Sequence, residues 1–229
     1  MDEKQGIDPN RGWEVLPVFD GNRQLTEALQ AMMSSDEAPG HSDVGIQNLL
    51  YSEILNNRPR RVLEIGTHIG TASVIMGSAL MRNGYGKLLT LEPQAHYQDI
   101  AAKNVEAAGV SSCVEILPFF SYQQECQDRL EEEAPFDLIF IDGAHDYESA
   151  RHDIELCYDL LRTNGLMILH DVGKRSPLMD PGGNGGVRRA LHDFSEARPE
   201  ARVIFREYPI WLNECGAALV TKQVLNPLP

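Results

Sequence analysis

Cysteine is scarce in this chain, and its spacing argues against a cysteine-based metal or redox motif. The four cysteines are Cys113, Cys126, Cys157 and Cys215, and none form a Cys-x-x-Cys pair, so we expect free, mostly buried thiols. The sequence also lacks the run of about 18 apolar residues that a membrane-spanning helix needs. Its polar, acidic start lacks the positively charged and then apolar segments of a signal peptide. We therefore expect a cytoplasmic protein without a membrane partner.

Positive charge is also in short supply. The chain has 20 Lys and Arg against 34 Asp and Glu, a net charge of -14, which repels nucleic-acid phosphates unless a local basic patch overrides it. The length of 229 residues and the hydrophobic content of 42% suit one large globular domain. We predict an N-terminal cap segment, 1–41, followed by the main domain, 42–229.

From residue 61 onward, short apolar runs alternate with helical patterns, which is typical of a parallel sheet with helices on both faces. We therefore predict an α/β fold with a Rossmann-like, seven-stranded, mostly parallel sheet and an antiparallel edge strand. The predicted strands are 61–65, 87–91, 114–117, 137–141, 166–169, 201–207 and 216–221, of which the last two form a hairpin. The predicted helices are 24–33, 43–55, 71–81, 95–108, 122–132, 147–161 and 186–197.

The first strand runs into a glycine turn, Glu64-Ile65-Gly66-Thr67-His68-Ile69-Gly70, that opens a helix. Gly66 allows a sharp bend, and Gly70 allows the helix to begin close to the sheet. The middle glycine of a dinucleotide motif is missing, which argues against NAD. The Glu64 carboxylate would repel a phosphate but attract an ammonium group, and S-adenosylmethionine carries an ammonium and a sulfonium. The predicted cofactor contacts here are Glu64, Gly66, Thr67, Gly70 and Ser73.

Two further strand ends carry candidate cofactor residues. Glu92 follows the second strand at about the distance at which adenosine-binding sheets place an acid for the ribose hydroxyls. The alternative is an acid that caps the next helix. Phe120 and Ser121 follow the third strand, where they would meet adenine, although a Phe pair at a strand end also suits the core.

The fourth and fifth strands end in Asp142-Gly143-Ala144-His145 and His170-Asp171. Carboxylates that converge at neighbouring strand ends repel unless a proton or cation lies between them. Asp142 and Asp171 therefore predict a divalent metal, Mg²⁺ first with Mn²⁺ or Ca²⁺ as alternatives, while His170 or His145 would shift the preference to Mn²⁺, Fe²⁺ or Zn²⁺. Hydroxyl binding or helix capping is the alternative to a metal. His145 is either a general base or a structural residue bonded to Asp171.

A glycine- and proline-rich segment, 173–186, follows the strand that carries Asp171. Its composition predicts a loop that cannot fold into a packed element and acts as a mobile lid over the acceptor. Arg188 and Arg189, just beyond it, either hold an acidic acceptor or pair with surface acids.

The turn at Glu64–Gly70, the acid Glu92 and the strand-end groups at Asp142 and His170-Asp171 resemble the class I S-adenosylmethionine-dependent methyltransferases. The resemblance is strongest to small O-methyltransferases of the macrocin-type and cephalosporin-hydroxylase-like groups. It implies that Ser42 and Gly45 close over the methionine end, that Asp142 also borders the cofactor, and that Asp142, His170 and Asp171 hold the metal. Relatives that bind Mg²⁺ firmly have an acid or amide where this chain has His170.

The resulting expectation is O-methylation of a small-molecule hydroxyl, on a natural product, sugar or phenol, with Asp142 and His145 as catalytic residues and a divalent metal assisting. The alternatives are a metal-independent enzyme with His145 as base, a hydroxylase-like or regulatory member of the same fold, and, less favoured, a nucleotide-dependent oxidoreductase. Trp13 and Phe19 in the cap suit either a contact in a homodimer or higher homo-oligomer or a part of the acceptor pocket.

Overall fold

A seven-stranded sheet forms the centre of the computed structural model, which describes residues 22–37, 42, 44–206 and 215–223. The strand order is β3-β2-β1-β4-β5-β7-β6. The strands are β1 (Arg61–Ile65), β2 (Lys87–Leu91), β3 (Val114–Leu117), β4 (Phe136–Ile141), β5 (Leu161–His170), β6 (Ala201–Arg206) and β7 (Ala217–Lys222). The helices in this part of the chain are α1 (Arg23–Met33), α2 (Val44–Asn57), α3 (Thr71–Asn83), α4 (Ala95–Ala107), α5 (Gln124–Glu133), α6 (Tyr147–Leu160) and α7 (Gly186–Ala197).

The pairing of the strands confirms the predicted fold class. Strands β1 to β5 pair in parallel, whereas β7 runs antiparallel to both β5 and β6. The predicted hairpin is therefore present, and its strand β7 lies inside the sheet with β6 at the edge. Because the carboxyl ends of parallel strands share one edge, the residues that follow β1 to β5 are gathered there.

Helices cover both faces of the sheet and form two hydrophobic cores. One core contains buried residues of α1 to α4, among them Leu50, Ile75 and Val105. The other is built on α5 to α7, with Leu130, Ile154 and Leu191. Full burial of a side chain of this size contributes about 1.5–3 kcal/mol to the free energy of unfolding, so both layers hold the sheet in place.

Helix α1 falls within the predicted cap segment and is part of the first core. Its residues Leu25, Ala28, Leu29 and Met32 are buried, and it packs against α3 and α4. The division of the chain at residue 41 stays a prediction. Trp13 and Phe19 lie outside the described residues.

Strand β5 is longer than predicted. It begins at Leu161, five residues early, because Leu161 pairs with Phe136 across a register irregularity in β4. At its other end, β5 stops at His170, one residue beyond the predicted end.

The segment after β5 contains a 3₁₀ turn, Ser176–Leu178, and a buried acid, Asp180. The Asp180 carboxylate accepts hydrogen bonds from the backbone N–H groups of Gly182, Asn184 and Gly186 at 2.8, 2.8 and 3.1 Å. The prediction that this segment cannot pack was therefore wrong, because one carboxylate satisfies several backbone donors. Its mobility stays a prediction. No helix in the described part of the chain combines the length and the apolar character needed to span a bilayer.

Candidate active site

Gly66 brings the β1 turn against the strand-end residue Asp142. Its φ is +95°, and a Cβ there would lie 2.3 Å from the backbone oxygen of Asp142. The N–H groups of Gly66 and Thr67 both donate to the carbonyl of Leu91, at 3.2 and 3.0 Å. A side chain at position 66 would therefore clash with the backbone of Asp142, whether or not a ligand is bound.

Gly70 begins α3 with φ +86°, but its closest neighbour differs from the expected one. A Cβ at Gly70 would lie 3.3 Å from the Cβ of Ala101 in α4. We predicted that Gly70 lets the helix approach the sheet. This was wrong, because the close contact that Gly70 permits is between α3 and α4. Thr67 is buried, and its Oγ1 lies 2.5 Å from Oγ1 of Thr90.

Glu64 is completely buried in β1. Its Oε2 accepts a hydrogen bond from the hydroxyl of Ser73, whereas Oε1 has no hydrogen-bond partner among the described residues. Burial raises the pKa of the Glu64 carboxyl to about 8. A buried acceptor without a partner costs free energy, so this oxygen is available to a cationic donor from a ligand.

Glu92 is also buried, but both of its carboxylate oxygens have backbone partners. Oε2 accepts from His68 N at 2.8 Å, and Oε1 accepts from Gln94 N at 2.9 Å. The second contact is at the start of α4, so the helix-capping alternative describes part of its role. Burial raises the pKa of the Glu92 carboxyl. Each oxygen retains a lone pair for a ribose hydroxyl, and the ribose role stays a prediction.

Ser42 and Gly45 lie at the start of α2. The Ser42 side chain is buried, and its Oγ has no hydrogen-bond partner within the described ranges. The Ser42 carbonyl accepts from Nε2 of Gln47 at 2.6 Å. Their predicted place over the methionine end of the cofactor stays a prediction.

The adenine-side candidates contact residues that the sequence analysis did not identify. Phe120 is 45% exposed and stacks on Tyr122 at a centroid distance of 5.1 Å and an angle of 15°. The Ser121 hydroxyl donates to Oδ1 of Asp153, a buried acid on α6. Burial raises the pKa of the Asp153 carboxyl to about 6. No sequence pattern pointed to Asp153, because acidic residues are common at the polar positions of a helix such as α6.

Two carboxylates and two imidazoles meet at the ends of β4 and β5. Nε2 of His145 lies 2.7 Å from Oδ2 of Asp171. Nδ1 of His170 lies 3.1 Å from Oδ1 of Asp142 and 3.6 Å from Oδ2 of Asp171. His170 and Asp171 are buried. The sequence therefore predicted the members of this cluster, and the bond from His145 to Asp171 is the one expected of the structural alternative.

The imidazoles and carboxylates in this cluster shift one another's pKa values toward the charged forms. The hydrogen bond to Asp171 raises the pKa of His145, although burial opposes the shift. Burial would raise the pKa of Asp171, but the hydrogen bond from His145 and the positive charges of His170 and His145 hold it below its usual range. A carboxylate that orients an imidazole and increases its basicity is the arrangement of a general base.

The cluster also offers ligands for a metal ion, in more than one combination. Ligand atoms of Asp142, His145 and Asp171 lie within 4.8 Å of one another. Ligand atoms of His170, Asp171 and Cys215 also lie within 4.8 Å of one another. The predicted ligands Asp142, His170 and Asp171 also lie together, with Nδ1 of His170 3.1 Å from Oδ1 of Asp142 and 3.6 Å from Oδ2 of Asp171, and their role as metal ligands stays a prediction. Carboxylate and imidazole donors suit Mn²⁺ or Zn²⁺ better than Mg²⁺, which prefers oxygen.

Arg188 and Arg189 lie at the start of α7. Nη1 of Arg188 donates to the carbonyl of Val172 at 3.1 Å. Nε of Arg189 lies 3.6 Å from Oδ2 of Asp193. Arg189 thus forms the ion pair that was the alternative to binding an acidic acceptor.

Comparisons with known proteins agree with this architecture. Residues 63–172 match the family described as "Methyltransferase domain". The chain is 37% identical over 84 residues to a catechol O-methyltransferase of Niastella koreensis, a match that covers 37% of each chain. It is 32% identical over 115 residues to a catechol O-methyltransferase of Mycobacterium tuberculosis, covering 49% of this chain and 48% of that one. The chain thus matches less than half the length of these curated relatives.

Solved structures share the fold over most of the chain. An O-methyltransferase from Bacillus cereus in complex with SAH has a TM-score of 0.73 and 24% identity, covering 91% of this chain and 94% of that one. The O-methyltransferase TomG from Streptomyces achromogenes, in complex with SAM, has a TM-score of 0.69 and 25% identity, covering 88% and 90%. Residues 63–172 are therefore similar to a methyltransferase domain, and the chain shares the Rossmann-like fold of these solved structures.

Proposed function

We propose that this protein is an S-adenosylmethionine-dependent O-methyltransferase that acts on a hydroxyl of a small molecule. The observation that carries the proposal is the buried Glu64 carboxylate, whose Oε1 has no partner among the described residues. The cofactor supplies the transferable methyl group when bound. A site that buries one acid against the turn favours an amino-acid cation over a diphosphate.

The chain's own residues form the proposed cofactor site. Glu64 accepts from the ammonium group, with Ser73 holding its other oxygen. Glu92 accepts from the ribose hydroxyls, and Phe120 with Ser121 borders the adenine. The remaining proposed contacts are Ser42, Gly45, Thr67, Gly70 and Asp142.

His145 is the proposed general base. It takes the proton of the acceptor hydroxyl, while Asp171 orients the ring at 2.7 Å and stabilises the imidazolium that forms. The exposed fraction of the His145 side chain is 37%, against 6% for Asp171, so the base is accessible and its partner is protected. Positioning the acceptor in line with the methyl group completes what methyl transfer needs.

A metal-assisted reaction is the second candidate, supported by the close grouping of Asp142, His145 and Asp171. Asp142, His145 and Asp171 would hold a divalent ion such as Mn²⁺ or Mg²⁺, which would lower the pKa of the acceptor hydroxyl. His145 would then be a ligand and unavailable as a base. The two mechanisms therefore predict opposite responses to a chelator.

The test is transfer of a labelled methyl group from S-adenosylmethionine to a panel of phenols, sugars and macrolide-type hydroxyls, with and without EDTA. Catechol heads the panel because of the names of the matched relatives, and sugar hydroxyls follow because of the macrocin-type resemblance. Transfer that survives EDTA supports the base mechanism, and transfer that EDTA abolishes and Mn²⁺ restores supports the metal. Failure of S-adenosylmethionine to bind at all would overturn the proposal.

A further inference from the structure

The antiparallel strand β7 brings Cys215 to the end of β5. His170 pairs with Ala217 in the β5–β7 register, so Cys215, two residues earlier, lies beside the chain that leaves Asp171. The N–H of Gly173 donates to the carbonyl of Cys215 at 2.5 Å. This bond fixes the backbone that carries the thiol next to the strand end.

Three different donor types meet at this point. The ligand atoms of His170, Asp171 and Cys215 lie within 4.8 Å of one another. His170 and Asp171 are 6% and 5% exposed. The Oδ2 atom of Asp171 is engaged by His145 at 2.7 Å, whereas its Oδ1 atom is buried without a hydrogen-bond partner among the described residues. The side chains of Cys215 and Asp171 also share a hydrogen bond, so the thiol proton is the one that a metal ion would replace.

We propose that His170, Asp171 and Cys215 form a binding site for a thiophilic divalent transition metal, with Zn²⁺ as the preferred ion. One imidazole nitrogen, one carboxylate oxygen and one thiolate are a ligand set that zinc accepts in tetrahedral sites, with the fourth position left to water. Mg²⁺ is disfavoured because it takes oxygen ligands. The inference rests on this grouping and does not depend on methyl transfer.

Binding requires the thiolate form of Cys215. The S–H bond breaks, the sulfur forms a bond to the metal with its electron pair, and one proton leaves to solvent. No group is oxidised or reduced. Metal uptake therefore releases a proton and depends on a sulfur ligand, which separates this site from the sulfur-free group of Asp142, His145 and Asp171.

Cobalt substitution tests the proposal directly in the full-length protein. After chelator treatment and its removal, one equivalent of Co²⁺ is added, and the near-ultraviolet spectrum is recorded for the thiolate-to-cobalt charge-transfer band. We expect the band in the wild type, its displacement by Zn²⁺, and its loss in Cys215→Ser. The control Cys113→Ser keeps the band, because Cys113 lies elsewhere and donates to Gly77 and Val110.

Two further measurements make the result decisive. His145→Ala keeps the band, since His145 is not in the proposed group, and Cys215→Ser lowers zinc affinity at least tenfold. X-ray absorption of the zinc-loaded wild type, which needs no variant, shows one sulfur at about 2.3 Å. Absence of the cobalt band in the wild type, or of zinc-bound sulfur, overturns the proposal. Neither readout uses methyl transfer, so failure of the proposed function is distinguished from failure of this site.

Discussion

The carboxyl ends of the parallel strands form one edge of the sheet, and the two halves of this edge differ in how a buried carboxylate is compensated. On the β1–β2 side, Glu64 is buried without a cation, and burial raises its pKa to about 8. On the β4–β5 side, Asp171 is buried against His145 and His170, and its pKa is lowered. In the proposed function, the Glu64 side therefore receives a positive charge from the cofactor, whereas the Asp171 side has its own in the two imidazoles. The same sheet edge then combines a binding site with a site suited to proton transfer.

The largest expected effect is on the acceptor side. Asp171→Asn removes the charge that orients His145, and we expect transfer to fall about 10²–10⁴-fold with S-adenosylmethionine affinity little changed. The neutral imidazole is the active form, so the rate rises with pH through the His145 pKa, which Asp171 raises. The variant's rising limb therefore moves to lower pH.

The measurement for this change is the pH dependence of the transfer rate, with calorimetry for cofactor affinity. Asp159→Asn is the matched control, because Asp159 is a surface acid paired with Arg198. Equal loss of cofactor binding and transfer in Asp171→Asn would contradict the division between the two halves.

The next effect is on the cofactor side. Glu64→Gln replaces a charge-assisted bond to the ammonium group, which contributes about 1.5–3 kcal/mol, so affinity falls roughly 10- to 150-fold. Calorimetric titration with S-adenosylmethionine measures the change, and Glu132→Gln on the exposed face of α5 is the control. Unchanged affinity in Glu64→Gln would remove Glu64 from the site.

A smaller effect is expected on stability without cofactor. The folded-state pKa of Glu64, about 8, lies above its unfolded value. The protonated form is therefore favoured by folding, and its stabilisation is complete below the unfolded pKa and is lost as pH rises through about 8. Glu64→Gln cannot ionise, so we expect its denaturation midpoint to fall less than that of the wild type between pH 6 and pH 9. Parallel curves would show that Glu64 is not buried as a neutral acid.

The smallest effect concerns the adenine side. Ser121→Ala removes the hydroxyl that donates to the buried Asp153, which costs about 1 kcal/mol of unfolding free energy. That loss corresponds to a fall in Tm of about 2–4 °C. Differential scanning calorimetry measures it, and Ser121→Thr, which keeps the hydroxyl, should recover most of the loss. An unchanged Tm in Ser121→Ala would show that the bond to Asp153 does not stabilise the fold.

Sequence predicted the strand-end residues well because each apolar run stops at a polar one. Glu64, Glu92, Asp142 and Asp171 were found in this way. Most of their partners were not, because pairing depends on side-chain direction. The contact of His145 with Asp171 was predicted only as one of two alternatives.

Contacts between residues that are far apart in the sequence could not be predicted from sequence patterns. Cys215 reaches Asp171 only because β7 runs antiparallel to β5, and Asp153 reaches Ser121 across 32 residues of chain. Gly70 faces Ala101 because α3 and α4 pack together. Such contacts are set by tertiary packing, which local periodicity does not encode.

The most direct test of the central claim is the number of protons released when S-adenosylmethionine binds, measured by calorimetry at pH 7 in buffers of different ionisation heat. The Glu64 carboxyl is mostly protonated in the free protein and must ionise to meet the ammonium group. We therefore predict the release of roughly one proton by the wild type and close to none by Glu64→Gln. Equal proton release by the two proteins would contradict the account.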